Sequence, residues 1–296
     1  MTVAGPDPGA PSPSPSFAMS VDVEEYFQVW AFSDVIQRAS WDGFALRAEK
    51  TTHKILDLFD AANARATFFM LGWLAERLPG LAREIMARGH EIASHGYEHI
   101  KVFDQSKEQF FDDVSRAKKI LEDATGCEVL GYRAAGFSID RRTPWAHEVL
   151  AAAGYAYSSS THPIAHDHYG DPTGPQSPYA PIAGDPFIEA PVATATVLGR
   201  RWSAAGGGWF RAAPYGVSKA LLERAARVQA SPVIFYFHPW EIDPDQPRIK
   251  SATRKAKLRH YLNLSSMEAK LERLLDDFQW GTVGAAVTRN QARLAA

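Results

Sequence analysis

The stretch FAMSVDVEEYF, residues 17–27, begins the part of the chain that we expect to fold. Its first seven residues are mostly apolar, which predicts a largely buried strand. Asp22 and Glu24 are two residues apart, so on an extended strand both side chains lie on the same side. Glu25 then faces away, and we expect it to be a solvated or locally hydrogen-bonded acid. From these residues alone, structural and catalytic roles for Asp22 and Glu24 are about equally favoured.

Short β-rich segments alternate with helical patterns along most of the chain. RATFFML (65–71) and GHEIASH (89–95) are predicted strands, and PVIFYFH (232–238) is a continuous apolar run typical of a strand buried on both faces. FIEAPVATATVLGRRW (187–202) predicts extended structure or a hairpin beside the main sheet. The alternation indicates an α/β fold with a parallel sheet or barrel. Apolar residues at helical spacing predict helices over residues 42–61, 74–85, 106–124, 141–153 and 267–278.

Composition limits the classes of function. With 46% hydrophobic and 22% charged residues, the 296-residue chain resembles an ordinary globular protein. Its formal net charge of -2 gives no basic surface for nucleic acid or anionic membrane, and a neutral partner such as a sugar is compatible with it. The single cysteine, Cys127, excludes an intramolecular disulfide and a multi-cysteine zinc site.

The first sixteen residues, MTVAGPDPGAPSPSPS, are rich in proline and serine and contain neither a basic residue nor an apolar run. We therefore expect residues 1–16 to be disordered and to be neither a signal peptide nor a membrane anchor. Residues 17–296 are predicted to form a single domain with no membrane span. A cytoplasmic location is the expectation that follows.

Polar residues follow several of the predicted strands, at the edge where parallel strands end together. In SHGYEH (94–99), a helical turn after the strand would place His95 and His99 on one face. Two histidines and one carboxylate with an open position form a hydrolytic metal site. The alternative is a pair of surface or capping histidines. The carboxylate at another strand end favours the metal site.

Two further strand ends carry ionisable residues. Arg133 requires a carboxylate partner if it is buried, and Asp22 is the obvious candidate. His238 ends the apolar run of 232–238, where a core histidine bonded to a carbonyl is the alternative to a site residue. Most of the chain's aromatic residues belong to the core, but a sugar site would use one or two of them, and Tyr132 and Trp240 are candidates. His162, on the long loop of 161–186, is a candidate for substrate contact.

Several motifs in a fixed order resemble the polysaccharide deacetylases of the NodB-homology type, carbohydrate esterase family four. The resemblance covers roughly residues 17–285. Some longer motifs are similar to the subgroup from bacterial exopolysaccharide loci of the PEP-CTERM and holdfast type, whose members act in biofilm adhesion. The family motifs are TFF (67–69), SHGYEH (94–99), YRAAGFS (132–138) and FYFHPWE (235–241), and the subgroup motifs are SVDVEEYFQV (20–29), YRAAGFSID (132–140), FRAAPY (210–215) and FHPWEIDPDQPR (237–248).

The resemblance implies a distorted (β/α) barrel of about seven strands and metal-assisted removal of acetyl from N-acetylhexosamine. It makes Asp22 the general base and His238 the general acid, with Arg133 orienting the base. His95 and His99 become metal ligands. Zinc is the expected metal because the ligands are histidine nitrogens and a carboxylate oxygen, and cobalt, nickel or manganese could take its place.

The chain departs from the family pattern at two places. Val23 follows Asp22 where most members have adjacent aspartates, so the resemblance makes Glu24 the third metal ligand, one methylene longer than usual. Ser158, in YAYSSS (155–160), stands where relatives often have an acid, which leaves open the group that tunes His238.

Two other functions remain possible. One is a metal-dependent amidohydrolase for a small non-sugar amide, which predicts a closed pocket instead of an open groove with exposed aromatic residues. The other is an inactive carbohydrate-binding relative, which loss of Asp22 or of either motif histidine would indicate. None of these residues is lost.

Overall fold

Eight parallel strands form the main sheet of this computed structural model, which describes residues 17–166, 169–228 and 232–295. Two further strands form a separate antiparallel hairpin. The predicted disorder of residues 1–16 falls outside the described residues. The strands are β1 (Phe17–Val23), β2 (Ala66–Met70), β3 (Glu91–Ser94), β4 (Gly131–Tyr132), β5 (Tyr157–Ser158), β6 (Ile188–Glu189), β7 (Thr194–Val197), β8 (Arg200–Ser203), β9 (Val233–Phe237) and β10 (Trp280–Gly281).

The main sheet is centred on β1. This strand pairs with β9 on one side and with β2 and the short β10 on the other, and β3, β4, β5 and β6 follow β2 in order. An isolated parallel bridge from Val192 to Ile234 of β9 joins the far end of the sheet back to its beginning. The parallel strands of the main sheet thus curl into a half-barrel joined by that bridge, which confirms the predicted α/β class and distorted barrel.

Helices connect the strands and cover the outside of the sheet. The longest, α4, begins at a capping box made by Ser106 and Gln109 and ends at Gly126, whose φ of 70° favours glycine. The helices are α1 (Ala48–Ala61), α2 (Gly72–Arg77), α3 (Pro79–Ala87), α4 (Lys107–Thr125), α5 (Ala146–Ala152), α6 (Gly207–Ala212), α7 (Tyr215–Val228), α8 (Arg254–Tyr261), α9 (Met267–Asp277) and α10 (Val283–Ala295).

The helix predicted over residues 74–85 is wrong in one respect, because the structure has two helices there. Pro79 begins α3, and since proline has no backbone N–H to donate, it cannot continue α2. Helix α1 also begins six residues later than predicted, after a 3₁₀ segment at Arg38–Gly43. The hairpin predicted within 187–202 is confirmed as β7 and β8.

The central strands β1, β2 and β9 are buried almost throughout, as their apolar sequences predict. Because the main-sheet strands are parallel, their C-terminal ends lie at the same edge of the barrel. The residues directly after β1, β3, β4 and β9 therefore lie near one another. In the described part of the chain, we find no helix with the length and apolar character needed to cross a membrane.

Candidate active site

Five of the residues singled out in the sequence lie at this edge of the barrel. Asp22 lies near the end of β1 and Glu24 directly follows that strand. His95 follows β3, Arg133 follows β4 and His238 follows β9. Apart from partly exposed His238, these side chains are at most 2% exposed.

Glu24, His95 and His99 each direct a potential ligand atom to one point, and these atoms all lie within 4.8 Å of one another. His99 Nε2 is 2.9 Å from Glu24 Oε2, yet that buried oxygen makes no aligned hydrogen bond with any described residue. Although burial raises the pKa of Glu24, the imidazoles of His99 and His238 hold it well below its usual range. A buried carboxylate oxygen without a donor beside two imidazoles fits a cation ligand set.

The hydrogen bonding of His95 leaves one ring nitrogen available to a metal. Its Nδ1 lies 2.9 Å from the backbone carbonyl of Arg133, and since a carbonyl only accepts, Nδ1 carries the proton. Nε2 then has a free lone pair, the arrangement usual for a metal-bound histidine. Burial lowers the pKa of His95 to about 4, which favours the neutral ring that a metal requires.

His99 reaches the group from a loop instead of from the helical turn considered above. Its φ is 57°, in the left-handed region that non-glycine residues rarely occupy. Gly96 has a φ of 77°, and a Cβ there would lie 2.8 Å from Asp113 Oδ2. The Asp113 carboxylate also accepts the N–H of Tyr97 at 3.0 Å. The loop is thus anchored to α4 in a conformation that directs His99 towards Glu24.

Arg133 is fully buried and holds Asp22. Its Nη1 donates to Asp22 Oδ1 at 2.6 Å and to Ser20 Oγ at 2.8 Å. Its Nε and Nη2 donate to the carbonyl and the hydroxyl of Ser159, each at 2.9 Å. The other carboxylate oxygen, Asp22 Oδ2, is 3.9 Å from His238 Nε2. One side of Asp22 is therefore held, and the other faces the imidazole.

His238 is surrounded by carboxylates. Its Nδ1 is 2.8 Å from Glu241 Oε1, and its Nε2 is 3.7 Å from Glu24 Oε1. Burial opposes protonation of the ring, but Glu24, Glu241 and Asp22 together raise the pKa of His238 to about 9. Glu241 accepts the proton of Nδ1, and Nε2 is the ring nitrogen that faces Asp22.

The sequence did not lead us to expect Glu241 as the residue that bonds to His238 and positions it. Glu241 is fully buried, and its Oε2 accepts from Arg211 Nε at 2.7 Å. Gly207 makes this packing possible, because a Cβ there would lie 2.1 Å from Glu241 Oε1. Ser158, where an acid was expected, instead bonds its hydroxyl to Ser160 at 2.6 Å. The spacing of three between His238 and Glu241 in HPWE was the available signal.

The three candidate substrate residues lie in different surroundings. Trp240 stacks on His238 with ring centres 5.1 Å apart, and its Nε1 donates to Glu24 Oε1 at 3.1 Å. Tyr132 lies in the core, since it precedes Arg133 on an extended segment and so faces the opposite side. His162 is also buried, with Nε2 3.0 Å from Ser203 Oγ. Of the three, only Trp240 joins the group around His238.

Glu25 is a buried helix cap. Its Oε1 accepts from the backbone N–H groups of Arg47 and Ala48, each at 2.7 Å, at the start of α1. The expectation of a solvated or locally hydrogen-bonded acid is wrong, because Glu25 is buried and its carboxylate bonds to residues 22 and 23 positions further along the chain. Glu25 therefore anchors α1 behind the strand that carries Asp22 and Glu24.

A cavity of about 430 Å³ opens beside His238. Trp240, Glu241 and Arg211 line it on the side of the imidazole, and Trp209 lines it from α6. Such a volume lies within the range of about 300–1,000 Å³ typical of small-molecule sites. The cavity therefore gives a ligand access to the His238 side of the site, while Asp22, Glu24 and His95 are not among its described lining residues.

Two family models match consecutive parts of the chain. Residues 40–158 match the polysaccharide deacetylase family, and residues 159–288 match a domain of unknown function, DUF3473. The first match covers less than half of the chain, and it shows a similarity of residues 40–158 to polysaccharide deacetylases.

A peptidoglycan-N-acetylglucosamine deacetylase of Bacillus cereus is 37% identical over 71 residues, which cover 24% of this chain and 33% of that protein. A chitooligosaccharide deacetylase of Azorhizobium caulinodans is 31% identical over 75 residues, covering 25% of this chain and 36% of that protein. The chain thus spans about a third of the length of these relatives. The structure of a candidate polysaccharide deacetylase from Mycobacterium smegmatis superposes with a TM-score of 0.61 at 21% identity, covering 98% of this chain and 93% of that one, a likeness of fold.

Proposed function

We propose, on the premise that the chain is a polysaccharide deacetylase of the NodB type, that it is a metal-dependent hydrolase. Its reaction is the removal of acetyl from N-acetylhexosamine units, with N-acetylglucosamine as the first choice. The matched relatives act, by their names, on peptidoglycan N-acetylglucosamine and on chitooligosaccharides. The observation that carries the proposal is the convergence of Glu24, His95 and His99 beside the facing pair Asp22 and His238.

In this proposal Glu24, His95 and His99 hold a divalent metal, with zinc favoured by two imidazoles and one carboxylate. When bound there, the metal polarises the acetyl carbonyl and lowers the pKa of a water to about 7. The contact of Trp240 Nε1 with Glu24 Oε1 leaves Oε2 directed at His99, which supports this ligand set. Cobalt, nickel and manganese are the alternative metals.

Asp22 is the proposed general base. Arg133 and the residues that bind it fix Oδ1, so Oδ2 is the oxygen that accepts the proton of the attacking water. In the stretch 132–135, the N–H groups of Arg133 and Ala134 already donate to Ser94 O and Ser160 Oγ. The N–H of Ala135 is therefore the proposed donor to the oxyanion of the attacked acetyl group, a contact typically worth about 3 kcal/mol.

His238 is the proposed general acid. Glu241 accepts from Nδ1, which directs the Nε2 proton to the side of Asp22 and of the cavity. The departing amine of the sugar takes that proton as the amide bond breaks. Asp22 Oδ2 and His238 Nε2 are 3.9 Å apart, so in this proposal the base and the acid serve the same reacting carbon.

An exopolysaccharide or its precursor is the proposed substrate within this class, as for holdfast and other biofilm polysaccharides. The support is the resemblance of SVDVEEYFQV (20–29) and FHPWEIDPDQPR (237–248) to proteins of exopolysaccharide loci. Exposed Trp202 and Trp209 near the cavity favour a polymer over a small non-sugar amide, for which a closed pocket is expected. The cytoplasmic location stays a prediction from the sequence.

We also propose that residues 17–296 form one catalytic domain instead of two. Strands from both matched segments belong to the same sheet, and β1 pairs with β9 over five residues. His238 of the second segment lies 3.9 Å from Asp22 and 3.7 Å from Glu24, and Glu241 and Arg211 of the same segment support it. The DUF3473 segment would therefore supply the acid half of the catalytic centre.

The test measures acetate release from N-acetylglucosamine oligomers of two to six units, first with metal-stripped protein and then after zinc is added. We expect activity only with zinc, and one zinc bound per chain. His95→Gln is expected to lose both the activity and the bound zinc. The matched control is His53→Gln on α1, where the histidine side chain is about 40% exposed, and it is expected to keep both. No release at any length from protein with zinc bound would overturn the proposal, as would full activity of the stripped protein.

A further inference from the structure

Two tryptophans near the catalytic cavity are exposed to an unusual extent. Trp202 on β8 is 46% exposed and Trp209 on α6 is 43% exposed. Large aromatic side chains are mostly buried, and a cluster of exposed ones marks a contact surface for a ligand or partner. Both residues belong to the segment that matches a domain of unknown function.

Trp209 connects the catalytic cavity to two others. It lines the cavity that contains His238, a second cavity of about 580 Å³ and a third of about 300 Å³. Trp202 lines the second and third cavities. A chain-like ligand with one unit at His238 that passes over the ring of Trp209 would therefore reach Trp202.

Two arginines and no acid are among the described residues that line the second cavity. Arg200 and Arg201 line it, and its described lining residues include no aspartate or glutamate. Arg201 Nη1 donates to the carbonyl of Gly174, and no ion pair joins Arg200 to a carboxylate in the described residues. A guanidinium presents paired donors that match the two oxygens of a carboxylate.

The size of the second cavity favours a ligand unit over a protein surface. Its volume lies within the range of about 300–1,000 Å³ of small-molecule sites, whereas protein interfaces are broad and have few deep cavities. The apolar residue at the tip of the hairpin, Leu198, is 97% exposed and lines neither this cavity nor the catalytic one. The tryptophans and arginines are thus grouped at the cavity and not spread over the hairpin.

We propose that Arg200, Arg201, Trp202 and Trp209 form a hairpin subsite that binds an acidic sugar of the glycan strand whose N-acetylhexosamine occupies the catalytic cavity. The two indole rings stack on sugar faces, and the guanidinium groups bind the sugar carboxylate. This rests on the proposed deacetylase function. It narrows the substrate class to polymers in which an N-acetylhexosamine is near an acidic unit.

The test measures binding of two oligosaccharides to the full zinc-loaded chain that carries Asp22→Asn in every arm to slow turnover. The acidic probe is a hyaluronan octasaccharide, which alternates N-acetylglucosamine and glucuronate, and the neutral probe is an N-acetylglucosamine hexamer. We expect the acidic probe to bind more tightly, and its affinity to fall as salt is raised.

Three variants separate the contributions of the hairpin subsite. Trp202→Ala is expected to weaken binding of both probes by at least about tenfold, and Trp202→Phe to retain most of the affinity. Arg200→Gln is expected to weaken binding of the acidic probe alone and to make that binding less dependent on salt. Leu198→Ala, on the same hairpin, is the control and is expected to bind both probes as the parent does.

If Trp202→Ala bound both probes as tightly as the parent does, the proposed hairpin subsite would be refuted. If the parent bound the acidic and the neutral probe equally tightly, the proposed preference for an acidic sugar would be refuted. Acetate release by the parent protein from the N-acetylglucosamine dimer, which has no acidic unit, reports on the deacetylase function separately. If the dimer and all longer oligomers release no acetate while Trp202-dependent binding persists, the proposed function fails and the subsite stands. If acetate is released but binding does not depend on Trp202, the subsite fails and the function stands.

Discussion

Gly207→Ala should disconnect the general acid from its support without touching a metal ligand. A Cβ at this position would lie 2.1 Å from Glu241 Oε1 and 2.3 Å from Oε2, whereas real Cβ contacts are essentially never shorter than 3.0 Å. The carboxylate must therefore move by about 0.9 Å or more, because the protein interior has no free volume to absorb the overlap. A movement of that size breaks or misaligns the bonds of Glu241 to His238 and to Arg211.

The expected consequence is a large loss of turnover with a moderate loss of stability. A misplacement of about 1 Å in catalytic geometry can cost about 10²-fold in rate, and we expect kcat to fall by that factor. Overpacking typically costs about 1–3 kcal/mol of unfolding free energy. Zinc stoichiometry should stay at the parent value, because Glu241 bonds to His238 and Arg211, and within the described residues neither Glu241 nor Gly207 bonds to Glu24, His95 or His99.

The assay is acetate release by zinc-loaded protein, together with urea unfolding and zinc content for the same samples. Gly208→Ala is the matched control, since it adds the same methyl group one residue later on α6 and meets no atom within 4 Å. If Gly207→Ala and Gly208→Ala had the same kcat, Glu241 would not position His238 and the assignment of the acid half of the site would be refuted.

Three further predictions concern the base, the buried histidines and the cap of α1. Asp22→Asn should retain one zinc per chain and lose at least about 10²-fold in kcat, as zinc content and acetate release will show; full activity would exclude Asp22 as the base. Burial lowers the pKa of His90 to about 4 and of His162 and His260 to about 3, so below pH 6.5 the unfolded chain binds protons that the folded chain does not. The unfolding free energy measured with urea should therefore fall as the pH is lowered from 6.5 towards 4. His90→Gln should reduce the slope of unfolding free energy against pH by about 1.4 kcal/mol per pH unit. An unchanged slope would contradict a neutral His90 in the folded protein. Glu25→Ala should lower the unfolding free energy by about 2 kcal/mol through loss of the two α1 bonds, against little change for exposed Glu49→Ala on the same helix; equal effects of the two would argue against the cap.

The strands of the barrel could be predicted because their signals are local. The run at 17–23 and the run at 233–237 are nearly continuous apolar sequences, and the structure buries both on two faces. The helix boundaries were less accurate where one residue decides them, as at Pro79, which separates α2 from α3. Helices α6 and α7 were not predicted, although α6 carries Arg211 and Trp209.

The site could be predicted in part for the same reason. Parallel strands end at one edge, so polar residues that directly follow them are brought together whatever their separation along the chain. This reasoning brought Asp22, His95, Arg133 and His238 to one place, as the structure does. It also placed His99 beside His95, but through a helical turn, whereas in the structure a left-handed backbone in a loop anchored by Asp113 brings His99 there.

By itself, the sequence determined the α/β class, the parallel strands and the edge where the acids and histidines meet. These features follow from the hydrophobic periodicity and the apolar runs of residues that are neighbours in the chain. Only the tertiary structure decided what supports them. Glu241 acts on His238 because Arg211 neutralises it and Gly207 leaves room for it, and Arg211 is 30 residues away in the chain. Such contacts depend on packing between distant segments, for which no local pattern exists, and the same holds for the cavities that meet at Trp209.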